Sequence, residues 1–160
     1  YIYRIAETTT VAPVTEEYLQ DGKAHILQDK EIPPNVAILR IHGPFLFGTT
    51  QKLEEATEDL GVFPTIVILR LRNMTALDAT GLHALEVFAG RMRKTGRTLL
   101  LCGARDQPAD LLFQADVLKE VGRDNILPNV DEALRRARQI SSSFSGIGLE
   151  IADDMQAMKI

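Results

Sequence analysis

At 160 residues, with 45% apolar and 25% charged side chains and a net charge of −4, the chain is sized for one domain with tails and an ordinary hydrophobic core. The acidic balance excludes a general nucleic-acid surface, which needs clustered Lys and Arg, and no apolar run reaches the roughly 18 to 20 residues that span a bilayer. The single Cys102 excludes an internal disulfide and, within the apolar run Leu99 to Cys102, reads as a buried structural thiol in a reducing compartment.

The N-terminus lacks the charged-then-apolar layout of a signal peptide, and a chain opening on Tyr1 rather than Met is expected to be a piece of a larger protein. Residues 1–35 carry Pro13, Asp21-Gly22 and Pro33-Pro34 without a sustained period, which predicts a linker with one short strand. Its opening Tyr1-Ile2-Tyr3-Arg4-Ile5 sets aromatics beside a basic residue, as where a helix leaves a membrane on its cytoplasmic side. Val36 to Ile41 predicts a strand, and Phe45-Leu46-Phe47, just past Gly43-Pro44, a short second strand paired antiparallel to it. Thr49 or Thr50 is expected to cap a helix that buries Leu53, Ala56 and Leu60, leaves Glu54, Glu55 and Glu58 in water, and stops at Gly61.

Ile66-Val67-Ile68-Leu69, the most apolar run, predicts a strand buried on both faces that opens at Pro64, alternates through Arg72 and bends at Asn73 to Thr75. Behind it Leu82, Leu85, Phe88, Ala89 and Met92 recur at helical spacing. The chain therefore turns from strand to helix at Asp78 to Gly81, and the helix runs to Lys94 before Gly96 breaks it. Thr98 to Cys102 is a second buried strand ended by Gly103, and this succession implies a right-handed crossover between parallel neighbours. Pro108 suits the first turn of a helix carrying Leu111, Leu112, Ala115 and Leu118 and closed by Gly122. Asn125 to Pro128 reads as a short extended piece. Asn129 with Glu132 caps a last helix whose acidic start (Asp131, Glu132) and basic end (Arg135, Arg136, Arg138) suit the macrodipole. Residues 141–160 are expected to form a C-terminal tail, as linker or loosely attached helix. The sum is an α/β sandwich, a small mixed sheet of about four to five strands covered by about four helices.

No catalytic constellation emerges. His25, His42 and His83 have no second ligand at metal-binding spacing, the Gly-rich phosphate cradles and the nucleophile elbow are absent, and Cys102 has no activating neighbour in sequence. The expectation is a non-enzyme with no metal and no cofactor. At the start of the central helix, Asp78 can act as N-cap and Gly81 allows close packing. Thr80, His83, Ala84, Val87 and Arg91 fall at offsets 0, 3, 4, 7 and 11, forming one short-sided, partly apolar stripe suited to a partner protein. A phosphate on Thr80 would bring about −1.5 to −2 charges to the positive helix end beside Asp78 and alter what the stripe binds.

The succession of strand, Asp78-Ala79-Thr80-Gly81, amphipathic helix, strand and final Asp131-Glu132-Ala133-Leu134 helix resembles the STAS domain, over residues 34–140. That domain is shared by bacterial anti-sigma-factor antagonists and by the cytoplasmic C-terminal part of SulP anion transporters. Ile32-Pro33-Pro34, then Ile41-His42-Gly43-Pro44-Phe45-Leu46-Phe47-Gly48, and Asn125-Ile126-Leu127-Pro128 before the last helix, look like the SulP form. The resemblance implies a regulatory, protein-interacting domain on the cytoplasmic face of the inner membrane, with residues 1–33 as the connector from the last membrane helix of a sulfate-like or carboxylate/bicarbonate transporter. Its partners would be the transmembrane domain of the same transporter, a cytoplasmic regulatory protein and, at the level of the whole transporter, a second copy. The alternative is a soluble anti-sigma-factor antagonist switched by phosphorylation. In that branch the regulated residue is a serine in this motif; Thr80 matches it, and Ala79-Thr80 stands where the family has two serines.

Overall fold

The computed structural model describes residues 9–13, 32–114 and 117–157. Its centre is the apolar run at Ile66, which forms strand β3 (Ile66–Arg70) and is buried on both faces as its composition requires. β3 lies between β2 (Val36–Phe45) and β5 (Thr98–Cys102), parallel to both. Beyond them β1 (Thr10–Pro13) pairs antiparallel with β2, and β6 (Ile126–Leu127) pairs parallel with β5. A sixth strand, β4 (Met74–Leu77), pairs parallel with the far end of β2. The sheet is mixed, in the order β1-β2-β3-β5-β6 with β4 off that path.

Five α-helices cover the sheet among the described residues: α1 (Gln51–Ala56), α2 (Ala79–Lys94), α3 (Asp106–Gln114), α4 (Val117–Val121) and α5 (Val130–Ala157). Side chains alternate along each strand, so two cores form. Leu39, Ile41, Val67, Leu69, Leu99 and Leu101 meet α2 through Leu85, Phe88 and Met92. Val36, Ile38, Ile66, Ile68, Leu100 and Cys102 meet α5 through Val130, Ala133, Leu134 and Ala137.

Several expectations needed correcting. The antiparallel hairpin at Gly43-Pro44 is not formed: β2 is one ten-residue strand running through both residues. Gly43, at φ 88°, sits at a register shift where β2 stops pairing with β3 and starts pairing with β4, and its N–H is held by the Asn73 carbonyl at 2.9 Å. A glycine-proline pair here makes a bulge, which bends a strand without ending it. Phe47 lies in the following turn, 83% exposed. The predicted bend at Asn73 to Thr75 runs into β4, with Met74 and Leu77 buried. The first helix is only six residues long; Leu60 belongs to a separate 3-10 turn, Leu60–Val62, capped by Asp59 accepting from the Gly61 N–H at 2.9 Å.

Two further expectations differ: the single helix expected from Pro108 to Gly122 is divided into α3 and α4, and the last helix runs past Arg135, Arg136 and Arg138, so these do not form a basic C-terminal turn. β5 and α2 have the predicted bounds, and Asn129 Oδ1 accepts from the Glu132 N–H at 2.9 Å at the start of α5. α5 continues through the Ser141-Ser142-Ser143 run to Ala157, and within it the hydroxyls of Ser141 and Ser143 are satisfied by donating back to the carbonyls of Ala137 and Gln139 at 2.9 and 3.0 Å. Ser141 also accepts from the Asn35 side chain at 2.7 Å, which ties this stretch to the start of β2. The expected connector is seen only as β1; Tyr1 to Ile5 lie outside the described residues.

Candidate functional site

The turn from β4 into α2 is fixed at several points. Asp78 is the N-cap, in an extended conformation; its Oδ1 accepts from the Gly81 N–H at 2.8 Å and its Oδ2 from the Phe47 N–H at 3.0 Å. One carboxylate thus caps the helix and holds the loop that follows β2. The Gly81 hydrogen bond, then that of Phe47, pull the carboxyl below its ordinary value of 3.8.

Gly81 is required by space. A Cβ there would lie 2.1 Å from the Phe45 carbonyl oxygen and 2.9 Å from Leu77 Cδ1, so α2 starts against the backbone of β2. Sequence alone also gave no hint of Gln107, on α3, whose side-chain amide pairs with Leu77 as a neighbouring strand would. Its Oε1 accepts from the Leu77 N–H at 3.0 Å and its Nε2 donates to the Leu77 carbonyl at 2.8 Å, satisfying the end of β4. Thirty residues separate the partners, so no local pattern announces the contact.

From this turn Thr80 projects exposed in the first turn of α2. The expected stripe is brought together, and it forms one wall of a groove of about 290 Å³ whose other wall is α1. Thr80, His83, Ala84, Val87 and Arg91 face Thr50, Leu53, Glu54 and Thr57 across it. Val87 is 48% exposed, an apolar side chain without full cover, and the exposed His83 lies 3.8 Å from Glu86 one turn on. Arg91 spans the groove: its Nη2 donates to the Thr57 carbonyl at 3.2 Å, an anchor between the two walls rather than a freely presented cation. Thr57 is itself fully buried, its hydroxyl donating to the Leu53 carbonyl at 2.6 Å.

The α1 wall is held differently from the sequence expectation. Thr50 occupies the N-cap position in helical conformation and makes no side-chain cap bond. Thr49 turns back instead, its hydroxyl accepting from the Leu46 N–H at 2.9 Å and reaching the Leu46 and Pro44 carbonyls at 2.9 and 3.2 Å. The local side-chain bonds of Thr49 thus compete with helix capping.

Cys102 is buried against α5, and burial pushes its thiol up to about 12, so it stays protonated at neutral pH. Among the described residues no group of three or more His, Cys, Asp or Glu could hold a metal ion, and no helix is long and apolar enough to cross a membrane.

Comparison with known proteins gives a consistent picture. The family model described as the STAS domain matches residues 28–133. A sulfate transporter family protein from Wolinella succinogenes is 33% identical, with a TM-score of 0.64, over 71% of this chain and 93% of that one. The STAS domain of a SulP transporter from Vibrio cholerae is 28% identical, with a TM-score of 0.61, over 81% of this chain and 96% of that one. The murine Slc26a9 anion transporter shares the fold at 17% identity and a TM-score of 0.64, over 84% of this chain and 23% of the transporter. A search among curated proteins finds no match.

Proposed function

The chain belongs to the STAS domain family, and from that premise we propose that it is the cytoplasmic regulatory and interaction domain of a membrane anion transporter, without catalytic activity of its own. The observation that carries the reading is the likeness to the sulfate transporter family protein, which extends over nearly all of that chain. In this reading residues 34–140 are the domain, and residues 1–33 connect it to the membrane-spanning part. The groove between α1 and α2 receives a partner, either the transporter's own membrane domain or a cytoplasmic regulatory protein, with Thr80 at its rim as the switch residue.

The test is made on the full reading frame. Apolar membrane spans encoded upstream of Tyr1 sustain the proposal, and their absence favours the anti-sigma-factor antagonist instead. With the full-length protein in proteoliposomes, removal of residues 34–140 is expected to abolish sulfate or bicarbonate uptake or its regulation; uptake unchanged in rate and control overturns the reading.

A further inference from the structure

At the C-terminal ends of β3 and β5, away from the Thr80 groove, lies a second basin of about 280 Å³ that the regulatory reading does not use. Its lining is basic: Arg70 from the end of β3, Arg72 just beyond it, and Arg105 from the turn after β5. Asn129, Val130 and Asp131, the start of α5, close the other side.

Three details make this more than a chance cluster. Arg70 is half-buried, on the same face of the sheet as Ile66 and Ile68 and in register with Cys102, so its charge stands beside the core. Arg105 is positioned: its Nε donates to the Arg72 carbonyl at 3.1 Å, leaving its terminal nitrogens for another acceptor. Gly103, at φ 78°, makes that approach possible, since a Cβ there would already touch Arg72 at 3.4 Å. Three arginines line one cavity beside the start of a 28-residue helix, in a chain of net charge −4. Asp131 is the one carboxylate in the lining and does not balance them.

We propose that this basin binds a free tetrahedral oxyanion, sulfate or phosphate, held by Arg70, Arg72 and Arg105 beside the start of α5. Planar guanidinium forks match the oxygen geometry of such anions, and a helix start adds partial positive charge. Chloride offers no such set of acceptors. The site is independent of Thr80 and of any partner in the groove.

The 160-residue chain is titrated with sodium sulfate and with sodium phosphate against sodium chloride at matched ionic strength, and the backbone amide shifts of residues 129–132 are followed by NMR. Saturable shifts with either oxyanion and none with chloride are expected. Arg70→Gln should weaken binding about tenfold or more, since each charge-assisted hydrogen bond lost is worth that much. Arg72→Gln and Arg105→Gln, at exposed positions, give the same readout if Arg70→Gln fails to fold. Arg93→Gln, on α2, should bind as the unsubstituted chain does. Shifts that rise linearly without saturating, that persist in all three basin variants, or that fall equally in Arg93→Gln overturn the site. Vesicles of phosphatidylglycerol, with phosphatidylcholine as blank, separate a lipid headgroup from a free ion; retention on the anionic vesicles with no free-ion binding overturns the proposal.

Discussion

α1 and α2 face each other across one groove, and they are secured to very different degrees. α2 is sixteen residues long, buries Gly81, Leu85, Phe88, Ala89 and Met92, and begins at a carboxylate that binds two backbone N–H groups. α1 is six residues long, buries Leu53, and has no side-chain cap. A helix this short is marginal by itself and depends on tertiary contacts, here Leu53 in the core and the Arg91 bridge to Thr57. The groove therefore has a fixed wall and a yielding one, and a partner or a modification at its rim meets least resistance in displacing α1.

The largest expected effect breaks the fixed wall. Gly81→Ala would drive a methyl group into the Phe45 carbonyl and should destabilise the domain by about 3 kcal/mol or more, read by urea unfolding. A loss below about 1 kcal/mol would mean that α2 does not start against β2 as described. Asp78→Ala comes next, at about 0.5 to 2 kcal/mol for the lost cap, and more of that loss should fall on the loop at Phe47 than a simple cap would give. The sign with pH follows from the lowered carboxyl. A group depressed in the folded state stabilises above its unfolded value and loses that contribution as pH falls through its folded value. The gap between the unsubstituted chain and Asp78→Ala should therefore be full above pH 5 and close below pH 3.8. A gap that widens in acid would contradict the assignment.

The same helix provides the opposite sign. Gly90 has nothing within 4 Å of where its Cβ would be, so Gly90→Ala should stabilise by about 0.4 to 1 kcal/mol, measured in the same unfolding series. Together the two glycines separate space from propensity on one element. Thr50→Ala should sit within about 0.5 kcal/mol of zero, because its hydroxyl makes no cap bond, whereas Thr49→Ala should cost more through the Leu46 turn. A large effect at Thr50 would mean that α1 is capped after all.

How much of this was legible follows from how local each signal is. The buried strands β3 and β5 announce themselves as short apolar runs, and Asp78, Gly81 and Asn129 carry their capping and packing roles in the sequence around them. The five stripe residues were legible as one face of a helix, and the groove was not, since its second wall depends on where α1 packs. β2 and β4 were misread because Gly43-Pro44 resembles a turn; what makes it a bulge is the strand β4 waiting beside it, 31 residues along the chain from Gly43 to Met74. The arginine basin shows the same limit. Arg70, Arg72 and Arg105 look like ordinary surface charges until parallel pairing sets the ends of two strands side by side.

Thr80 gives the smallest expected change in stability and the sharpest functional one. Its side chain is exposed and serves neither the cap, which Asp78 supplies, nor the core, so Thr80→Ala and Thr80→Glu should both unfold within about 0.5 kcal/mol of the unsubstituted chain. The added carboxylate, however, stands at the rim of the groove, with Asp78 two residues before it and Glu54 across it. Like charge at that edge, opposite the weakly held α1, should show as faster amide exchange in residues 51–56 while α2 is unchanged. In the full-length protein Thr80→Glu should then alter partner binding or anion uptake, and Thr80→Ala should not mimic it. If both substitutions leave exchange in α1, binding and uptake as they were, the groove is not regulated through Thr80, and its two walls differ in stability without any consequence for function.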